Sequence, residues 1–219
     1  MSTRLHFQSE MEHFRTGLVE MASLVLSQVE RGVAAWEEVD AEAAAEVIAS
    51  DDQIDVRCAE LDQKVFSLQL LEAPVAGDQR LLHVGLIAVI ALERVGDLAV
   101  AIAHAATSVR PEGAVPEIQA LISRMSARAV DTLARAVQAI ARGDADLGEE
   151  AGVEAAIVHQ MLDEVVANTA AAPDEPETRV WSAVAVLVAR HLDRVANNGA
   201  ELGGRVRFLV SGEAFTRGT

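Results

Sequence analysis

Several things are scarce in this 219-residue chain, and each scarcity excludes something. It has one cysteine, Cys58, so no disulfide can form within it, which suits a reducing compartment. Tyrosine is absent and aromatics make up 3% of residues, while Ala, Val, Leu and Glu abound. Such a composition favours helix over strand. Basic residues are outnumbered 18 to 34 by acidic ones, giving a formal charge of −16 and no basic stripe. Phosphate-backbone recognition needs the opposite sign, so no nucleic-acid partner is expected. Long apolar runs are missing too. The N-terminal MSTRLHFQSE has no signal-like apolar core, and the most apolar stretch, Leu81 to Leu92, is too short and runs straight into charge. A cytoplasmic protein without membrane insertion is expected.

What remains is helical periodicity. Phe7, Met11, Phe14, Leu18, Met21, Val25 and Val29 recur every three or four residues, which predicts a first helix over about 4–39. Asp40 is placed to cap a second helix ending near Leu71. A third follows the EAPVAGD break and ends before the Pro111–Pro116 loop. Pro116 suits the first turn of a fourth helix running to about Arg142, with Gly143 as its C-cap and Asp144 as the next N-cap. The fifth runs to about Thr169, the sixth over about 177–210, and the tail from Ser211 is expected to fray. No stretch alternates with period two, so no strand is predicted.

The two halves echo each other. Asp40 and Asp144 stand 104 residues apart, as do Met21 and Met125, and Pro74 and Pro173 each precede the third helix of their half. A period this long is no solenoid. The expected fold is all-α, two tandem pseudo-symmetric three-helix bundles, divided as 1–112 and 113–219. Short loops make neighbouring helices antiparallel.

Two stretches carry the candidate chemistry. ALERVGDLAVAIA places Glu93 and Asp97 four residues apart, and ARHLDRVANNGA places Asp193 and Asn197 at the same spacing. Residues i and i+4 share a helix face, and two like charges there repel by a few tenths of a kcal/mol. A hard divalent cation would cancel that repulsion, since Mg, Ca and Mn prefer oxygen ligands. Without a metal the same pairs are solvated acids beside Arg94 and Arg194. His104, two turns beyond Asp97, lies on the same face. Cys58 reads as an inert thiol, and Trp36 and Trp181 as packing residues. No G-x-S-x-G, Walker-type loop, H-E-x-x-H or ferritin-like Glu-x-x-His pairing appears, so no enzyme is predicted.

These stretches, taken in order, resemble the PhoU family. LERVGDLAVAIA is similar to the family's L-E-R-I-G-D-H-A-x-N-I-A, and ARHLDRVANNGA to its A-R-H-L-E-R-I-G-D-H-A. VIASDDQID, LEAPVAGDQR and RVRFLVSGE also match, so the resemblance runs from about Phe7 to Glu213. It implies a six-helix fold and a regulator of phosphate uptake and signalling. The implied partners are the phosphate transporter's ATPase and a membrane sensor histidine kinase; a homodimer is left open. Carried over, the metal ligands are Glu93 and Asp97, then Asp193 and Asn197, with Asp55 ranked lower, for a divalent or trivalent ion such as Mg, Mn, Zn or Fe. The chain departs from the pattern at Leu98, Ala101, Ala196, Asn197, Asn198 and Glu201. Neutral Asn197 implies weaker binding at the second motif. The alternative is a metal-binding helical bundle with its chemistry at the helix-three carboxylates.

Overall fold

The computed structural model describes residues 2–72 and 74–213. Ala73 and most of the tail expected to fray, 214–219, lie outside the described residues; Ser211 is still helical. Among the described residues, seven α-helices follow in order: α1 (Ser2–Glu38), α2 (Ala41–Ala49), α3 (Asp51–Glu72), α4 (Gly77–Ala106), α5 (Pro116–Arg142), α6 (Ala145–Ala170) and α7 (Pro176–Ser211). A single 3₁₀ turn, Pro111–Gly113, lies between α4 and α5. Among the described residues there is no strand, and no helix is long and apolar enough to cross a membrane.

The predicted punctuation is where the sequence placed it. The Asp40 carboxylate accepts from the amides of Glu42 and Ala43, and Asp144 accepts from that of Leu147. Gly143 closes α5 in the left-handed region at φ 67°. The whole α1 stripe from Phe7 to Val29 is buried. The first bundle packs α1 against α4, with α2 and α3 laid along both; the second packs α5, α6 and α7 on one another. The seam between them is made by α4 on α7 and α1 on α5. The last helix of each half, α4 and α7, carries its motif and is therefore central.

One prediction is corrected. The helix expected from Asp40 to about Leu71 is broken at Ser50 into α2 and α3. The cause is tertiary. Gln28 of α1 is 3% exposed, and its amide donates to the Val47 carbonyl at 3.2 Å and to Asp51 Oδ1 at 3.2 Å. The Ser50 hydroxyl and amide also donate to the Val47 carbonyl, at 2.7 and 3.2 Å. Side-chain donors that compete for a carbonyl inside a helix interrupt its ladder.

Candidate functional site

The break points at the first motif. Leu92, Val95, Gly96 and Ala99 form the buried stripe of α4. This leaves Glu93 half-buried and Asp97 exposed on the flank facing the α2–α3 junction. Gly96 is what brings the two together. A Cβ there would lie 3.3 Å from Asp51 Oδ1, 3.3 Å from Ile54 Cδ1 and 3.4 Å from Gln28 Oε1. Arg94 turns to the opposite side, where it lines a small cavity with Ile90, Asn198 and Glu201 at the seam between the bundles.

Four carboxylates thus share one field: Glu93 and Asp97 from α4, Asp51 and Asp55 from α3. Burial pushes the Glu93 carboxyl above its ordinary range, and the charges of Asp97, Asp55 and Asp51 push it the same way against Arg94. Asp51 is raised first by burial, then by Asp55, Asp97 and Asp52, while the Gln28 hydrogen bond opposes. Cys58, one turn beyond Asp55, is half-buried; burial and the charges of Glu93, Asp62 and Asp55 raise its thiol pKa and keep it protonated. Gln28 adds an orphan: its Oε1 is buried and has no hydrogen-bond partner.

Such a set fits a hard cation chemically, because every donor but the thiol is oxygen and the acids repel until neutralised. It is not gathered into a chelate. Among the described residues, no group of three or more His, Cys, Asp or Glu is placed to hold a metal ion. His104 is exposed in the last turn of α4.

The second motif is built differently. Asp193 is buried at 3% exposure, and its Oδ1 lies 3.0 Å from His159 Nδ1 of α6. Its Oδ2 lies 3.8 Å from the Arg190 guanidinium. Asn197 is exposed one turn on. Nearby, burial and Arg194 lower the pKa of half-buried His191.

The sequence named Glu93, Asp97, Asp193 and Asn197 but missed three residues that matter beside them: Gln28, Asp51 and His159. For His159 a signal existed. The 104-residue offset that pairs Asp40 with Asp144 also pairs Asp55 with His159. For Gln28 there was none, since its role depends on how α1 meets the α2–α3 junction.

The comparisons with known proteins agree with this architecture. The PhoU domain family model matches residues 18–106, most of the first bundle with its motif. The phosphate-specific transport system accessory protein PhoU homolog of Pseudomonas putida is 29% identical over 209 residues, covering 94% of this chain and 81% of its own. A Mycobacterium leprae protein described as PhoU homolog 1 is 26% identical over 213 residues, covering 95% and 94%. The crystal structure of the phosphate transport system regulatory protein PhoU from Streptococcus pneumoniae superposes with a TM-score of 0.87 at 20% identity over 96% of this chain and 99% of that one, which speaks to the fold. PhoU from Pseudomonas aeruginosa gives 0.75 at 28% identity over 94% and 100%. The family model over residues 18–106, and the relatives and solved structures over nearly the whole chain, all support the PhoU family for this chain.

Proposed function

We propose that this chain regulates phosphate uptake and phosphate-responsive signalling in the cytoplasm, by contact with the phosphate transporter's ATPase and a sensor histidine kinase rather than by catalysis. The observation that carries the reading is the end-to-end match to PhoU proteins, in which both bundles are matched and not one motif alone. A cation at the first motif would be held by Glu93 and Asp97, with Asp51 and Asp55 alongside. It would supply positive charge to an otherwise repulsive face and so alter what that face can meet. The alternative, a metal-binding protein whose chemistry sits at these carboxylates, draws on the same acids, and the absence of a converged chelate among the described residues gives it less support.

The test is phosphate uptake in the source organism with the gene deleted and restored. Uptake that no longer responds to external phosphate on deletion, and recovers on complementation, is expected. Unchanged uptake and an unchanged response would sink the reading. Affinity capture of the tagged chain from phosphate-replete cells is expected to recover the ATPase or the kinase.

A further inference from the structure

The two motifs occupy equivalent places, yet their surroundings are opposite in electrical design. The caps at Asp40 and Asp144 fix the register of the second helix of each half. In that register Asp51 becomes Ala155 and Asp55 becomes His159; on the third helix Glu93 becomes Asp193 and Asp97 becomes Asn197. Where the first half gathers four acids, the second keeps one. The geometry agrees with the register, for Asp55 and Glu93 are electrostatic neighbours and His159 and Asp193 are hydrogen-bonded at 3.0 Å.

We propose that His159 is a built-in counter-group for Asp193, standing where a cation would sit in an acid-rich copy, so that the second motif takes no metal and any cation site of this chain is one-sided. Asp193 is already partnered. One oxygen is engaged by the imidazole, the other faces Arg190, and the carboxylate is buried. A buried carboxylate costs several kcal/mol unless paired, so the pair satisfies it without an ion. Its neighbour Asn197 brings no charge. The supporting shell differs to match. The counterpart of Gln28 is Thr132, fully buried, and its hydroxyl donates to its own helix at Arg128 O (2.8 Å) instead of reaching across. No junction opens in α6, which runs unbroken through the equivalent of Ser50. Among the described residues, the orphan amide oxygen and the helix break belong to the first half alone.

The inference rests on the proposed cation at the first motif only for the contrast, and the experiment reads the second motif by itself. Mn²⁺ bound per full-length chain is measured by equilibrium dialysis for the wild type, Asp193→Asn, and an acid-restored variant, Ala155→Asp/His159→Asp/Asn197→Asp. Asp193→Asn is expected to leave bound Mn²⁺ unchanged. The restored variant is expected to gain about one ion, with a Mn²⁺-dependent rise in its unfolding midpoint that the wild type's second motif does not supply. Loss of about one ion in Asp193→Asn overturns the proposal, as does a folded restored variant that gains none. Should the restored variant fail to fold even with Mn²⁺, the Asp193→Asn measurement, repeated with Zn²⁺ because imidazole suits it, decides alone: retention supports the proposal, loss overturns it. A wild type that binds no Mn²⁺ at all defeats metal modulation at the first motif while the gain of function still tests the second.

Discussion

The indole rings of Trp36 and Trp181 stack with centroids 5.3 Å apart and planes inclined by 28°. One comes from the last turn of α1, the other from the start of α7, and they are 1% and 2% exposed. Residues from opposite halves of a duplicated chain thus share one close contact. Truncating a buried tryptophan costs ~3–5 kcal/mol, and stacked aromatic pairs couple by ~0.5–1.5 kcal/mol beyond their buried area. Trp181→Ala is expected to destabilise by the larger amount in urea unfolding. A double-mutant cycle with Trp36→Ala is expected to show coupling of the smaller size. Strict additivity of the two substitutions would show that the rings merely fill space near each other.

Glycines in the second bundle separate into two kinds. Gly148 of α6 and Gly203 of α7 face each other so closely that a Cβ on Gly203 would lie 2.3 Å from Gly148 O, and one on Gly148 would lie 2.5 Å from Gly203 O. Those are backbone atoms and cannot swing away. Gly152, one turn further along α6, is exposed and would meet nothing within 4 Å. Gly203→Ala is therefore expected to cost ~1–3 kcal/mol by overpacking. Gly152→Ala is expected to gain up to ~1 kcal/mol from helix propensity alone. Thermal unfolding of the two variants side by side checks the opposite signs.

Arg80 ties the ends of two central helices together. Its Nε donates to the Leu209 carbonyl at 2.9 Å, near the C-terminus of α7, while Arg80 itself lies in the first turns of α4. A guanidinium at a helix C-terminus satisfies an orphan carbonyl and favours the helix dipole. Arg80→Met, which keeps the stem and removes the charge, is expected to cost ~1–3 kcal/mol. Amide hydrogen exchange should rise most in the last turn of α7. Increased exchange spread evenly over the chain would argue against a local cap.

What could be read beforehand divides along the line between local and tertiary causes. The caps at Asp40, Gly143 and Asp144 and the buried stripe of α1 are local, and each is where periodicity and turn chemistry put it. The pairing of Glu93 with Asp97 is local too. Their company is not, because Asp51 and Asp55 arrive from α3 only through the close approach at Gly96. The break at Ser50 was unreadable because Gln28, 22 residues away on α1, joins the Ser50 hydroxyl in competing for the Val47 carbonyl. His159 lay between these extremes. The repeat register pairs it with Asp55, but only the fold shows that its ring meets Asp193.

The acidic face gives the chain a pH signature whose sign can be worked out. Glu93 and Asp51 have carboxyl pKa values raised in the folded state, chiefly by burial and then by neighbouring acids. An ordinary unfolded carboxyl titrates near ~4. Between that value and the raised folded one, the folded chain holds protons that the unfolded chain has released. The stability these two groups contribute is therefore full below the unfolded pKa and is lost as pH rises through the folded one. Glu93→Gln removes one of the repelling charges. It is expected to be more stable than wild type at neutral pH by ~0.2–0.5 kcal/mol, the size of one like-charge helix pair. The advantage should vanish at pH 4 and below. A divalent cation bound to the folded state would close the same gap from the other side, stabilising wild type at neutral pH by mass action. It should do little for Glu93→Gln/Asp97→Asn. Unfolding free energies from pH 4 to 8, with and without millimolar Mn²⁺, test both halves. A Glu93→Gln variant less stable than wild type at neutral pH would mean that the carboxylate is held by favourable contacts, and the repulsive face would have to be abandoned.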